Sequence, residues 1–202
     1  MDYIISDTHF GHANIIKYSP YRERSLVALG LEPTIENHDQ VLETAWNRVV
    51  NANDTVYFLG DLGMFFDSTD FVNQLARLKG QKIFFKGNHD RSRDLTAAIL
   101  LPETRVIAEH DTSIELRRDK QKFMLGHYAT LIPRPHVSVH GHTHEMSYNF
   151  EYNLTLNVSV DSEFFQNHNG YEHFGEPLPL ATIVDEIKKM RRENKQEGHT
   201  NF

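Results

Sequence analysis

The sequence contains no cysteine, which limits both its structural and its chemical options. Disulfide bonds, thiolate zinc sites and cysteine nucleophiles are therefore excluded. Any metal ion must be held by nitrogen and oxygen ligands, and the chain offers many of them, with 13 histidines and 28 aspartates and glutamates. Histidine is the most common metal ligand in proteins. The composition thus permits a metal site built from imidazole, carboxylate and amide groups.

Long apolar runs are also missing, since none approaches the roughly 20 residues that a membrane-spanning helix needs. The chain enters its first strand-like run directly after Met1-Asp2-Tyr3, without the charged and apolar regions of a secretory leader. These features predict a cytoplasmic protein with no membrane partner. At 202 residues and 39% hydrophobic composition, the chain suits one domain with a substantial core. We therefore interpret residues 1–202 as a single domain.

Positive charge is in the minority, because 21 lysines and arginines against 28 acidic residues give a net charge of −7. Non-specific binding of duplex nucleic acid depends on neutralisation of phosphates by lysine and arginine. The charge balance therefore disfavours a nuclease of long duplex DNA, whereas short or single-stranded nucleic acid remains open as a partner. Nothing in the sequence indicates the oligomeric state.

Hydrophobic periodicity predicts alternating strands and helices in the first half of the chain, which favours a parallel sheet covered by helices. The predicted helices cover residues 36–50, 70–78 and 92–100. From about Val106 onward, short strand-like runs with turns between them predict a largely antiparallel second half. A polar loop is expected over Glu163 to Pro179, followed by a closing helix over Leu180 to Asn194. The charged stretch Lys188 to Lys195 is interpreted as a solvated face.

The most informative feature is a pattern that occurs five times, in which an apolar run ends, within a few residues, in aspartate, asparagine or histidine. Packing a core does not require hydrophilic side chains at the ends of strands. The candidate ligands that follow these runs are Asp7, His9, Asp61, Asn88, His127, His142 and His144. The pattern predicts a metal site assembled at one edge of a sheet.

Spacing and number refine this prediction. Asp7 and His9 are two residues apart, as are His142 and His144, so in extended backbone both members of each pair face the same side. Asp61 follows a glycine, where the chain can turn and a carboxylate can bridge two cations. Seven donors are too many for one tetrahedral ion and suit two octahedral ions that share a carboxylate. Two ions about 3.5–4 Å apart serve in-line displacement at phosphorus, so the set favours hydrolysis of phosphate esters.

Five short motifs now carry a resemblance, and their order along the chain matters. They are Asp7-x-His9, Gly60-Asp61, Gly87-Asn88-His89-Asp90, Gly126-His127 and Gly141-His142-x-His144. Each is weak alone, but in this order, each after a strand, they resemble the calcineurin-like metallophosphoesterase superfamily. The opening segment 6–16 further resembles a subgroup of small single-domain members from bacteria and their phages. The resemblance implies an α/β fold, namely a four-layered α/β sandwich with mixed sheets and helices on the outer faces.

The resemblance also implies two divalent metal ions and a role for each motif residue. One ion would be held by Asp7, His9, Asp61 and His144, and the other by Asp61, Asn88, His127 and His142. A hydroxide bridging the ions would attack phosphorus, its pKa lowered by both cations. His89 matches the histidine that is not a ligand but contacts the phosphate and assists the leaving oxygen. Asp90 is expected to orient His89 or to pack as a turn residue.

Further candidates are less specific. His12, three positions after His9, either reaches the cleft and touches phosphate or lies on the surface. Four arginines could bind a substrate phosphate or simply be solvated, and they are Arg22, Arg24, Arg91 and Arg93; we assign Arg91, with His12 and His89, to substrate binding. Phe65 and Phe66 stand close to where many members of the superfamily carry another acidic residue, and they either stack a base or cap the core. Five histidines are expected on the solvated surface, namely His38, His110, His168, His173 and His199.

We therefore predict a divalent-metal-dependent phosphoesterase that acts on phosphodiesters or nucleotides. The alternative is a phosphomonoesterase acting on a small metabolite or nucleotide. A catalytically silent metal-binding module would need one ligand to be missing, and none is. Mixed nitrogen and oxygen ligands at near-octahedral sites suit Mn²⁺, with Fe, Ni or Zn as alternatives.

Overall fold

The structure, a computed structural model, describes residues 1–107, 112–146 and 153–196. Strands and helices follow one another in the first half, as predicted, although three helices rather than one lie between the first two strands. In chain order these are β1 (Asp2–Ile5), α1 (Ile15–Tyr18), α2 (Pro20–Ala28), α3 (Ile35–Val49), β2 (Thr55–Phe58), α4 (Ser68–Arg77), β3 (Gln81–Phe85), α5 (Ser92–Ala98) and β4 (Thr104–Ile107). The second half contains β5 (Ser113–Arg118), β6 (Gln121–Gly126), β7 (Val137–His140), β8 (Leu154–Asn157), α6 (Glu163–Asn169), β9 (Leu178–Pro179) and α7 (Leu180–Gln196).

Two mixed sheets, flanked by helices, form the framework. The first has the order β4-β3-β2-β1-β9, with β1 to β4 parallel and β9 antiparallel to β1. The second has the order β5-β6-β7-β8. This arrangement confirms the predicted α/β sandwich with mixed sheets and outer helices.

The prediction of a largely antiparallel second half is wrong. In the described part of the second sheet, only β5 and β6 pair antiparallel, whereas β7 lies parallel to both β6 and β8. Residues 127–136 return the chain from the end of β6 to the start of β7. A short apolar run has the same residue pattern in a parallel strand as in an antiparallel one. The sequence therefore does not reveal whether the chain returns between two strands to make them parallel.

Side-chain capping explains where two of the helices begin. Thr34 caps α3 by accepting a hydrogen bond from Asn37 N at 3.3 Å, and Trp46 is buried on the inner face of this helix. The loop predicted over 163–179 is wrong in part, because α6 forms there. Ser162 caps that helix and Phe165 is fully buried beneath it.

One core cluster extends from the first sheet to the second and to α7. The rings of Phe58 and Phe84 stack at 4.9 Å in its centre. The interpretation of 188–195 as a solvated face is wrong at Asn194, which is buried, and at Arg191, whose Nε donates to Pro135 O at 2.8 Å. Among the residues that the structure describes, no helix has the length and apolar character needed to cross a membrane.

Candidate metal centre

The ends of five strands bring the predicted ligands together. Asp7 and His9 follow β1, Asp61 follows β2, Asn88 follows β3, His127 follows β6, and His142 and His144 follow β7. The two sheets are joined at this place by a bridge between Ser6 and Ser159, and Val160 N donates to Ser6 O at 3.0 Å. The carboxyl ends of neighbouring parallel strands therefore face one region.

The backbone at these predicted ligands is unusual. Five of the seven predicted ligands have positive φ, namely Asp7 (58°), His9 (53°), Asp61 (59°), His142 (68°) and His144 (51°). Non-glycine residues rarely adopt this conformation, which costs about 1–3 kcal/mol each. The extended geometry predicted for the two pairs is therefore wrong, and left-handed turns direct their side chains instead. Such strain clusters at functional sites, where the surrounding structure maintains it.

Asp7, His9 and His144 form the first group, with one ligand atom of each within 4.8 Å of the others. Both ring nitrogens of His9 are buried and make no hydrogen bond within the described part of the chain. Buried polar atoms normally have partners, so a metal ion fits this position. Burial, and then the positive charge of Arg22, hold the pKa of His9 well below its usual range. Its ring is therefore neutral, as a metal ligand must be.

Asn88, His127 and His142 form the second group. Asn88 Oδ1 lies 2.9 Å from His127 Nε2 and 2.8 Å from His142 Nδ1. Asp61 lies between the groups, because its Oδ2 is 3.6 Å from His9 Nε2 and also 3.6 Å from His127 Nε2. This is the position that a carboxylate shared by two ions would occupy.

The carboxylates of Asp7 and Asp61 lie at the centre of the site and need a cation nearby. Burial raises the pKa of Asp61, and the charges of Asp7 and Asp90 raise it further. Glycines make room for both carboxylates. A Cβ at Gly87 would lie 2.0 Å from Asp61 Oδ1, and one at Gly141 would lie 2.4 Å from Asp7 Oδ2. The oxygen and imidazole donors together fit divalent cations of intermediate hardness.

His89 and Asp90 have different surroundings. His89 N donates to Asp61 Oδ1 at 2.8 Å, and its exposed ring lies 5.1 Å from that of His9. Desolvation lowers the pKa of His89. Asp90 is buried and accepts hydrogen bonds from the backbone N–H groups of Asp61, Leu62 and Gly87 at 2.8–3.0 Å. Of the two roles predicted for Asp90, these contacts favour support of the turn.

Asp161 was not among the predicted residues. Both of its oxygens lie 3.1 Å from His144 Nδ1, and its Oδ2 accepts a hydrogen bond from Arg22 Nε at 2.7 Å. Arg22 also donates to Asp7 O at 2.6 Å and to Thr8 O at 2.9 Å. Burial alone would raise the pKa of Asp161, but the charge of Arg22 and the contact with His144 hold it below its usual range. The buried Arg22 is thus neither solvated nor free for phosphate, and both predictions for it are wrong.

His38 continues this network and is not on the surface as predicted, since it is fully buried. Its Nε2 lies 3.0 Å from Arg22 Nη1 and its Nδ1 lies 2.9 Å from Asp39 Oδ1. Because arginine can only donate, Nε2 accepts and Nδ1–H donates to Asp39. Asp39 in turn accepts from Gly11 N at 2.8 Å. His168 and His173 are exposed as predicted, whereas His110 and His199 lie outside the described residues.

The remaining candidates divide between the site and its surroundings. The ring of His12 is 5.5 Å from that of His9, and its buried Nδ1 makes no hydrogen bond within the described ranges. Arg91 is held by Asp94, with 2.7 Å between Nε and Oδ2. Phe65 packs its ring edgewise on the core residue Phe71, whereas Phe66 is 91% exposed. Arg24 is exposed, which agrees with the prediction that it is solvated. Arg93 lies close to the carboxylate of Asp94.

Comparison with known proteins identifies the family. A family model described as calcineurin-like phosphoesterase matches residues 3–197. An uncharacterised protein of Methanocaldococcus jannaschii is 40% identical over 92 residues, which are 44% of this chain and 46% of the relative. The Gene 66 protein of Mycobacterium phage L5 is 31% identical over 87 residues, which are 42% of this chain and 37% of the relative. The chain therefore spans less than half the length of these curated relatives.

A solved structure shows the same fold. The crystal structure of a protein of unknown function from Aquifex aeolicus superimposes with a TM-score of 0.61 and 23% sequence identity. The match covers 92% of this chain and 98% of that chain. With a family model that matches nearly its whole length, this chain belongs to the calcineurin-like phosphoesterase family.

Proposed function

We propose that this protein hydrolyses phosphodiesters or nucleotides with two divalent metal ions. The position of Asp61 carries this proposal, since its carboxylate lies 3.6 Å from imidazoles of both ligand groups. One ion is assigned to Asp7, His9, Asp61 and His144, and the other to Asp61, Asn88, His127 and His142. Mn²⁺ is the first choice for both positions, with Fe, Ni or Zn as alternatives.

The chain's own residues prepare this chemistry. The ions, when bound, supply a water of lowered pKa and neutralise charge on the phosphate. Asn88, His127 and His142 converge on one position through a neutral oxygen and two nitrogens, so they fix that position without adding charge. Asp61 supplies the negative charge between both positions.

His89 is proposed to give a proton to the leaving oxygen. Its backbone N–H is fixed on Asp61, while its exposed ring lies beside His9. Desolvation lowers the pKa of the free ring. An anionic phosphate bound next to it would favour the protonated form again, because an opposite charge at short range stabilises the ion. Binding of substrate would thus protonate the His89 ring, which then gives this proton to the leaving oxygen.

The leaving group tests this role of His89. His89→Ala should slow the chemical step by about 10²–10⁴-fold for alkyl esters, which need a proton on the leaving oxygen. The loss should be smaller for p-nitrophenyl esters, whose leaving group is stable as an anion. Rates are compared at saturating Mn²⁺ with both classes of ester. Equal losses for both would show that His89 only binds phosphate.

The substrate class has its own test. A diester carries less negative charge than a monoester, which suits a chain with a net charge of −7. We therefore expect kcat/KM for bis-p-nitrophenyl phosphate to exceed that for p-nitrophenyl phosphate at the same Mn²⁺ concentration. The two esters share a leaving group, so the comparison isolates the charge and size of the phosphate. Faster monoester hydrolysis would favour the alternative, a phosphomonoesterase acting on a metabolite or nucleotide.

Several broader predictions accompany this proposal. We propose a small phosphoester or nucleotide as the substrate, with short or single-stranded nucleic acid as a further option. A cytoplasmic location, and membership of the small bacterial and phage-type subgroup, also stay predictions. The core shared by the two sheets supports the proposal that residues 1–202 form a single domain.

A further inference from the structure

A cavity of about 390 Å³ opens beside the candidate metal centre. One wall is formed by α1 and the turn into α2, and the other by the loop after β7. It shares His9, His89 and His144 with the metal centre. A phosphate bound at that centre would therefore have this cavity directly next to it.

The walls of the cavity are mostly apolar or aromatic. Ile15, Tyr18 and Met146 line it, and Tyr18 is 71% exposed. The ring of His12 lies between that of Tyr18, at 6.3 Å, and that of His9, at 5.5 Å. A continuous series of rings thus leads from the entrance of the cavity to the metal ligands.

A second phosphate in the cavity would need a cationic partner there. No lysine or arginine is among the described residues that line it. Its acidic residue, Glu145, is already engaged, because Oε1 accepts from Ser19 Oγ at 2.8 Å and from Tyr21 N at 3.2 Å. These two bonds tie the loop after β7 to the start of α2, so the opposing walls are fixed relative to each other. A preformed, mostly apolar cleft of this kind is typical of a small-molecule site.

We propose that this cavity binds an uncharged aromatic ring, which belongs to the organic group esterified to the phosphate. The inference rests on the proposed function, because it places the phosphate at the metal centre. Tyr18 and His12 offer ring surfaces for stacking, and the described residues of the walls include no lysine or arginine for a polyphosphate. The preferred substrates are thus esters of aromatic or nucleobase-bearing alcohols.

Two phosphonates test the inference without turnover. Phenylphosphonate and methylphosphonate have the same head group and no ester bond to hydrolyse, so only their organic groups differ. Isothermal titration of the Mn²⁺-loaded protein should show that phenylphosphonate binds about tenfold more tightly, or better, as expected for one stacked ring. Equal and measurable affinities would overturn the proposed ring site and leave the proposed function intact. If neither phosphonate binds, this inference fails as well, whereas the proposed function is judged separately by the hydrolysis of bis-p-nitrophenyl phosphate.

A matched pair of aromatic substitutions locates the ring. Tyr18→Ala should bring the ratio of the two dissociation constants close to one. Phe66→Ala removes another exposed aromatic side chain, outside the cavity, and should leave the ratio as in the wild type. A preference that survives Tyr18→Ala but is lost in Phe66→Ala would overturn the inference, since the ring would then stack on Phe66.

Discussion

Asp161 determines which nitrogen of His144 is available to a metal ion. Because both carboxylate oxygens lie 3.1 Å from Nδ1, only Nε2 is left to face the centre. We expect Asp161→Asn to weaken Mn²⁺ binding by about 10–100-fold, as is usual when the partner of a metal-bound histidine is lost. Equilibrium dialysis of the folded variant measures the effect.

Stability provides a second measure of the same substitution. Asp161→Asn leaves the guanidinium of Arg22 buried without its counter-ion, which should lower the free energy of unfolding by about 3–5 kcal/mol. Glu115→Gln is the matched control, because it removes an exposed carboxylate that pairs with Arg117 and should change neither quantity. Unchanged Mn²⁺ affinity in Asp161→Asn would show that Asp161 does not position His144.

Asp61 is expected to destabilise the protein when metal is absent. Its folded-state pKa is raised above the ordinary value of 3.8, chiefly by burial. The unfolded chain therefore releases this proton more readily, and stability falls as pH rises above that value. Asp61→Asn should then raise the free energy of unfolding in EDTA at pH 7.5 by about 1–3 kcal/mol, since an amide avoids the cost of burying charge. The gain should disappear towards pH 4.

Urea titrations with and without Mn²⁺ separate stability from function at this position. Added Mn²⁺ should stabilise the wild type much more than Asp61→Asn, because the variant lacks the shared carboxylate. An Asp61→Asn protein that is less stable than the wild type in EDTA at pH 7.5 would contradict this interpretation of Asp61.

The segments that follow β2 and β3 approach each other so closely that no space is left for an extra side-chain atom between them. A Cβ at Gly87, directly after β3, would lie 2.0 Å from Asp61 Oδ1. We expect Gly87→Ala to displace the Asp61 carboxylate and to weaken Mn²⁺ binding at least tenfold, corresponding to about 1.4 kcal/mol. Gly30→Ala is the control, because its Cβ would meet nothing within 4 Å and only the strain of φ +75° remains. If both variants bind Mn²⁺ like the wild type, the carboxylate tolerates displacement.

The elements also show how far the sequence could predict the site. Apolar runs that end in Asp, Asn or His identified the strand ends around the centre, because parallel neighbours align their carboxyl ends. The same pattern would have found Asp161, which follows the run Thr155 to Val160. Arg22 and His38 carry no such signal, since they lie on polar stretches and their burial depends on contacts distant in sequence. The left-handed turns at the predicted ligands could not be predicted from the sequence either. Non-glycine residues adopt positive φ there because tertiary contacts impose it.

For the whole molecule, the shared core predicts cooperative unfolding. Residues of both sheets and of α7 belong to one buried cluster, so neither sheet can lose its packing alone. We expect a single transition in urea, with coincident midpoints for far-UV circular dichroism and for the fluorescence of the buried Trp46. Separate midpoints for the two signals would contradict a single domain over residues 1–202.

The number of bound metal ions tests the proposed centre most directly. Crystals grown with Mn²⁺ should give two anomalous peaks in each chain, with the Asp61 carboxylate between them. Asn88→Ala should lose one of these peaks, whereas His89→Ala should keep both, since only Asn88 is assigned as a ligand. A single tetrahedral ion in the wild type, with Asn88 and His127 turned away from it, would contradict the two-metal centre.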